Sequence, residues 1–337
     1  TIFGICVPDH ELGLYNNPNV DATVEEIIQL IKPDIAHIHS IQGLGVGVLD
    51  MCAKHKVKTA VTLHDAWWIC PRQFMIQKDG LFCNQFVLDK NKCMNCIGNK
   101  SEYLARERAL QHSIQSADVL LAPSRYFADL YEANLCRQVL TNQNGVHFPQ
   151  RSVRKFRGDI LRFGYVGGNT NIKGVHLILE SFRKNNFQNV QLILVDNMLN
   201  VGEKSYFDKD IAGIQNVEIV SAYDQNSIDE FFDGIDVLLF PTQWKESFGL
   251  TVREAISRNV WVIATDAGGV VEDIINGVNG TIIPFNSGVN ELSEAIKNVC
   301  NVYFARDKEQ EINLEKHHIK SFAEQKQQLL SVYNDLL

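Results

Sequence analysis

The sequence predicts an α/β chain built as two doubly wound parallel domains facing each other across a cleft. Three observations carry this. Short apolar runs of strand length alternate with segments of helical spacing from end to end, the pattern of βα units with parallel strands. A length of 337 residues suits two domains of ordinary size. The alternation breaks once, at "NQNGVHFPQRSVRKFRG" (142–158), where an Asn-Gly turn precedes a charged run without apolar periodicity.

Taken in order, the first half offers strands at 35–40, 58–65 and 118–124, separated by helical patterns at 24–32, 48–55 and 101–115. The second half offers strands at 161–168, 190–196, 217–223, 235–242, 260–266 and 281–285. Its helical patterns fall at 174–184, 227–234, 250–259 and 291–300, with a final stretch at 315–336. The expected domains are 1–148, with a cysteine-rich insertion at 70–96, and 149–312. The last residues, 313–337, form a helix expected to pack back on the first domain. In sheets of this kind ligands sit beyond the carboxyl ends of the strands.

Composition narrows the function classes. The formal charge is −8, so no global basic field attracts nucleic acid or anionic lipid. The one basic run, "RSVRKFRG" at 151–158, reads as a solvated linker. The longest apolar runs, such as "VQLILV" at 190–195, are strand-sized and do not span a membrane. The opening "TIFGICVPDH" carries no signal-peptide pattern, and a cytoplasmic location is expected.

Two stretches carry chemistry. "LLFPTQWKESFGLTVREA" (238–255) reads as a buried strand, a loop, and a helix starting near Gly249. A helix N-terminus offers free N–H groups and a positive dipole end to phosphate, and a glycine there lets a ligand approach closely. Glu254 in the first turns suits a ribose diol, while Glu246 faces what lies beyond the phosphates. Spacing alone leaves a catalytic acid pair, a sugar-and-ribose clamp and an accident all open. In "FGYVGGNTNIKGVHLI" (163–178) a strand enters the Gly167–Gly168 turn, and Lys173 stands at a helix start, a natural counter-charge for a diphosphate.

The order "TLHD", "NQNGV", "YVGG…KG", "FPTQWKESFGLTVREA", "VIATDAGGVVEDIINGVNG" resembles the retaining glycosyltransferases of family 4, over roughly residues 30–285. The resemblance implies the GT-B fold, two Rossmann-like domains. It implies that Lys173 binds the donor diphosphate and that Glu254, second acid of an E-x7-E motif, holds the ribose. Glu246, the first acid, then contacts donor-sugar hydroxyls. Gly167 and Gly168 line the first phosphate turn, and Phe248, Gly249 and Leu250 form a backbone bed under sugar and phosphate. His64 of "TLHD" matches a histidine that reaches the sugar from the other side of the cleft, and Asn144–Gly145 the junction turn. Glu246 and Glu254 are then binding groups, not the acid pair of a glycosidase. Transfer needs no catalytic metal, and the base is read largely by backbone, here around Ser221–Tyr223.

Two departures stand out. Where many members carry an arginine in the first glycine turn, this chain has Gly168, leaving Arg253 and Lys245 as the neighbouring cations. Residues 1–20 run straight into "KPDIAHIHS" without the usual first βαβ stretch. The N-terminal domain is therefore expected to be incomplete, its missing segment absent or supplied by a partner chain.

Of eight cysteines, Cys70, Cys83, Cys93 and Cys96 fall within 27 residues as C-x12-C-x9-C-x2-C. That spacing in a cytosolic chain points to a structural zinc. Lesser features read plainly. "DKD" at 208–210 is a chance match to a metal motif. His37 and His39 share a strand face, His39 nearer the cleft. "QGLGVG" (42–47) is a loop facing acceptor, and Trp67 and Trp68 either stack on sugar or pack as a pair.

The leading function is a retaining glycosyltransferase moving a sugar from a nucleoside-diphosphate donor to a saccharide or other hydroxyl acceptor. UDP is taken as the donor nucleotide from its frequency in the family. The alternatives are a nucleotide-sugar 2-epimerase of the same fold and a catalytically incomplete module acting as a partner subunit.

Overall fold

A computed structural model describes residues 2–8, 15–149, 158–305, 312–316 and 319–337, with backbone alone at 154, 155 and 311. Residues 151–153 and 156–157 of the basic run lie outside the described residues, as do residues 9–14 of the opening segment. The chain divides into two compact units, Thr1–Gln143 with Glu324–Leu337, and Asn144–Ala323.

Unit 1 is built on a parallel sheet of β1 (Ile35–Ile38), β2 (Lys58–Thr62), β3 (Val119–Ala122) and β4 (Leu140–Thr141), in that spatial order. Its helices are α1 (Pro18–Ile31), α2 (Gly47–Lys54), α3 (Lys90–Ile97), α4 (Lys100–Gln115) and α5 (Arg125–Leu135). Local signals set their ends. Asn17 caps α1 with Pro18 at its first position and Lys32 left-handed at its end, and Ser124 caps α5 through the Phe127 N–H at 3.1 Å, as capping chemistry requires. The glycine loop before α2 is explained by packing. A Cβ on Gly47 would overlap the Asp21 carboxylate, and one on Gly45 would press on the Tyr15–Asn17 backbone.

Unit 2 holds a six-stranded parallel sheet in the order β11-β10-β9-β6-β7-β8. Its strands are β6 (Leu161–Val166), β7 (Val190–Asp196), β8 (Val217–Ser221), β9 (Val237–Phe240), β10 (Trp261–Thr265) and β11 (Gly280–Ile283). Helices α6 (Val175–Lys184), α7 (Asp208–Ile211), α8 (Ile228–Gly234), α9 (Leu250–Ser257) and α10 (Val289–Phe304) cover it, and β5 (Arg154–Lys155) pairs antiparallel with β12 (Glu311–Ile312). Strand side chains alternate between two cores. Phe163, Leu192, Leu194, Val237, Leu239 and Ile263 join α6 and α10 on one face, and Ile193, Leu238, Phe240, Val262 and Ala264 join α8 and α9 on the other. Burial on both faces explains why β9 reads as the unbroken apolar run VLLF. Strand order reverses between β9 and β6, the point where such sheets open a crevice.

After unit 2 the chain returns through α11 (Phe322–Leu336). Within unit 1, Tyr333 Oη lies 2.5 Å from His37 Nδ1 and Gln328 donates to the Thr141 carbonyl at 2.8 Å. The helix starts at Phe322, not at 315, because the preceding backbone is committed elsewhere. The Leu314 N–H goes to Asn259, the Glu315 carbonyl takes Asn279, and the Lys320 carbonyl takes the Val146 N–H.

Candidate functional site

The loops leaving β6, β9 and β10 meet at the switch point of unit 2. After β6, the Tyr165 hydroxyl donates to the Gly168 carbonyl at 3.1 Å. A Cβ on Gly167 would stand 2.5 Å from that hydroxyl, and Gly168 adopts φ +67°, so both positions favour glycine. Lys173 ends a 3₁₀ turn, Asn171–Lys173. At Gly174, φ is +81° and a Cβ would sit 2.0 Å from the Pro241 carbonyl oxygen. The missing side chain lets the turn lie on the end of β9, where the Ile172 carbonyl accepts the Gln243 N–H at 2.8 Å.

That seating delivers Lys173 Nζ to within 2.7 Å of Glu246 Oε1. The same oxygen accepts the Trp244 indole N–H at 3.0 Å and the Thr242 hydroxyl at 3.2 Å. Glu246 is 8% exposed, and its backbone is pinned on both sides. Its N–H bonds the Ala267 carbonyl and its own carbonyl takes the Gly269 N–H, each at 3.0 Å. Among the described residues Oε2 takes no hydrogen bond, so the carboxylate has one saturated oxygen and one open one.

Gly249, left-handed at φ +80°, starts α9 against the Val270 side chain, with Leu250 first in the helix and Phe248 buried before it. Glu254 points toward β8. Its Oε2 accepts from the Tyr223 hydroxyl at 3.3 Å. Burial raises its pKa above the usual glutamate value, against the opposing effects of Arg258 and Tyr223. The Tyr223 ring stacks on Phe231 at 4.7 Å. Beside it the Ala222 N–H and carbonyl are both bridged by the Asn200 carboxamide, at 3.0 and 3.1 Å. The two acids of the motif thus have different partners and different surroundings.

Two expected cations stand elsewhere. Arg253 is 1% exposed, its Nε 2.5 Å from Asp273 and its guanidinium bonded to the Phe248, Gly269 and Val270 carbonyls. It ties α9 to the loop at 268–273 and is consumed by that task. Lys245 bonds the Asp266 backbone carbonyl and lies over the Phe285 ring at 4.3 Å. Neither replaces the arginine absent at Gly168. Trp244 and Thr242 had no sequence signal, since only the fold of the loop brings them to Glu246. "DKD" lies in α7, where Asp210 accepts the Phe207 N–H at 2.9 Å.

In unit 1, His64 Nε2 and His39 Nδ1 share a hydrogen bond of 2.8 Å. Burial, and then the charge of His39, hold the His64 pKa down. His37 sits between Thr62, at 2.7 Å, and Tyr333. Its pKa is lowered to about 4 by burial, then by His39 and His64. Trp67 and Trp68 form a buried edge-to-face pair at 5.1 Å, so they pack against each other. Cys70, Cys83, Cys93 and Cys96 line one cavity of about 590 Å³. They do not close on a common point, and among the described residues no three His, Cys, Asp or Glu side chains form a metal-holding group. Burial pushes the Cys70 thiol up to about 11, with Cys83 and Cys93 adding to the rise, and Tyr103 bonds the Cys93 sulfur.

Comparison with known proteins bears on both halves. Residues 146–316 match the family described as Glycosyl transferases group 1, and residues 3–147 match Glycosyltransferase Family 4. An uncharacterized 42.6 kDa protein in the cps region of Klebsiella pneumoniae is 24% identical over 270 residues, 78% of this chain and 65% of that protein. The capsular polysaccharide biosynthesis glycosyltransferase CapM of Staphylococcus aureus is 26% identical over 172 residues, 48% of this chain and 44% of CapM. The chain therefore spans less than two thirds of these relatives' length. Among solved structures, Anabaena HepE in complex with UDP-glucose has the same fold, with a TM-score of 0.66 at 15% identity over 94% of this chain and 82% of HepE. With one profile spanning half its length and the other most of the remainder, the chain belongs to the glycosyl transferases group 1 of family 4, folded as GT-B.

Proposed function

We propose that this chain is a retaining glycosyltransferase that moves a hexosyl group from a UDP-sugar to a hydroxyl of a saccharide or glycoconjugate acceptor. The observation that supports it best is the grouping of Lys173, Glu246, Gly249 and Glu254 around the start of α9, at the sheet's switch point. Charge developing on the leaving diphosphate is balanced by the Lys173 ammonium and the free N–H groups of α9, without a catalytic metal. The C1–O bond to phosphate breaks, C1 bonds the acceptor oxygen from the same face, and the acceptor proton passes to the departing phosphate. Glu246 Oε2 accepts a donor-sugar hydroxyl, Glu254 accepts from the ribose, and the family resemblance assigns His64 to the sugar.

UDP is favoured by the UDP-glucose complex of HepE, and an acceptor in polysaccharide assembly by the name of CapM. Eight free thiols suit the reducing cytoplasm, and among the described residues no helix is long and apolar enough to cross a membrane. The test is thermal stability with UDP-, GDP- and ADP-sugars on wild type and Glu254→Ala. The expected result is a rise in melting temperature with a UDP-sugar that the variant loses. Equal stabilisation of both proteins would sink the ribose role, and release of an epimerised sugar from donor alone would replace transfer by epimerisation.

A further inference from the structure

Trp244 is given no role in the proposed transfer, yet it touches two of the site's three charged groups, Lys173 and Glu246. It is 9% exposed, and its indole N–H donates to Glu246 Oε1 at 3.0 Å. Its ring lies under the Lys173 ammonium at 5.1 Å from the centroid. We propose that Trp244 is a positioning residue for donor specificity, holding Glu246 so that Oε2 alone is offered to the sugar while its ring steadies Lys173 for the diphosphate. This rests on the proposed glycosyltransferase reading.

A carboxylate presents two equivalent oxygens and rotates freely unless donors single one out. Here Lys173, Trp244 and Thr242 all converge on Oε1. Lysine has a competing duty to the diphosphate, and once a donor arrives its ammonium is drawn toward phosphate. The Trp244 N–H is uncharged and fixed by a buried ring, so an arriving diphosphate does not draw it away and it keeps Oε1 engaged. A buried hydrogen bond to a charged group is among the stronger ones, and a first shell works only when its support is rigid. The π face beneath Lys173 adds an attraction that the N–H does not share.

These two contacts can be separated. Trp244→Phe keeps an aromatic face near Lys173 and removes the N–H, while Trp244→Ala removes both. Titration calorimetry with UDP and with the UDP-sugar that stabilises wild type should give UDP affinity within twofold of wild type for Trp244→Phe. The extra affinity conferred by the sugar should fall about tenfold. Trp244→Ala should weaken UDP itself. In a Glu246→Ala background Trp244→Phe should have no further effect on sugar affinity. An unchanged ratio of UDP-sugar to UDP affinity in Trp244→Phe would overturn the inference. So would equal loss of both, because the indole would then be holding the whole loop rather than one oxygen. A wild type that binds UDP without gain from any sugar overturns it while leaving the nucleotide site standing. A wild type that binds no nucleoside-diphosphate sugar removes the functional reading and this inference together.

Discussion

Glu254 and Arg253 are neighbours in sequence and strangers in space. Successive helical residues point about 100° apart, so Glu254 turns toward Tyr223 while Arg253 turns into the loop at 268–273. The sequence placed the acid by its motif, but it offered no way to see that the adjacent cation was already committed to Asp273. Each residue carries a prediction. Ribose hydroxyls donate to an ionised carboxylate, and burial raises the Glu254 pKa in the free protein. UDP affinity should therefore fall as pH drops through that raised value, with binding releasing a proton. Calorimetry between pH 5 and 8 in buffers of different ionisation enthalpy should show both effects, and Glu254→Gln should bind more weakly with neither. For Arg253, the partner Asp273 is 3% exposed, so Arg253→Met strands a buried charge. A loss of about 3–5 kcal/mol in urea unfolding is expected, and a loss below about 1 kcal/mol would show the pair to be dispensable.

At the scale of elements, the strands were legible where burial on one or both faces writes a run, as in 190–196, realised as β7. Two-residue β4 was not, because a strand that short leaves no periodicity to read. His37 of β1 and His39 just beyond it show where local reading stops. Alternation put His37 and His39 on one face, and their rings do lie 4.2 Å apart. What the alternation could not supply was Tyr333, 296 residues away. This array predicts acid sensitivity. His37 is held near 4 from an ordinary 6.5, so the unfolded chain binds the extra proton first. The stability involved is fully present above pH 6.5 and is lost as pH falls toward 4. His37→Gln should flatten the stability-versus-pH curve in that window by up to one proton's slope, about 1.4 kcal/mol per pH unit. A curve parallel to wild type would show that the other histidines carry the titration.

At the scale of the molecule, the two-domain plan was legible from one interruption in an otherwise regular alternation, but the route of the chain was not. It leaves unit 1 after Gln143 and re-enters at Glu324, so each unit is bounded by two distant segments. Inside unit 2 these run side by side. The Val146 N–H bonds the Lys320 carbonyl at 2.9 Å and Val146 bridges Ser321. Gly145 is what permits this approach. A Cβ there would lie 2.5 Å from both the Phe322 nitrogen and the Ser321 carbonyl oxygen, backbone atoms that no rotamer change can move. The Asn-Gly pair that reads as a simple turn is therefore also the seat of the returning chain, and α11 begins beside it. Gly145→Ala should destabilise the protein by about 1–3 kcal/mol, the usual range for forced overpacking. It should also speed hydrogen exchange at the Val146 amide and through 322–336. Lys173, Glu246 and Glu254 sit on other segments of unit 2, the last within α9, so UDP affinity should stay near wild type. Unchanged exchange at Val146 would mean that the neighbouring segments yield without breaking their pairing.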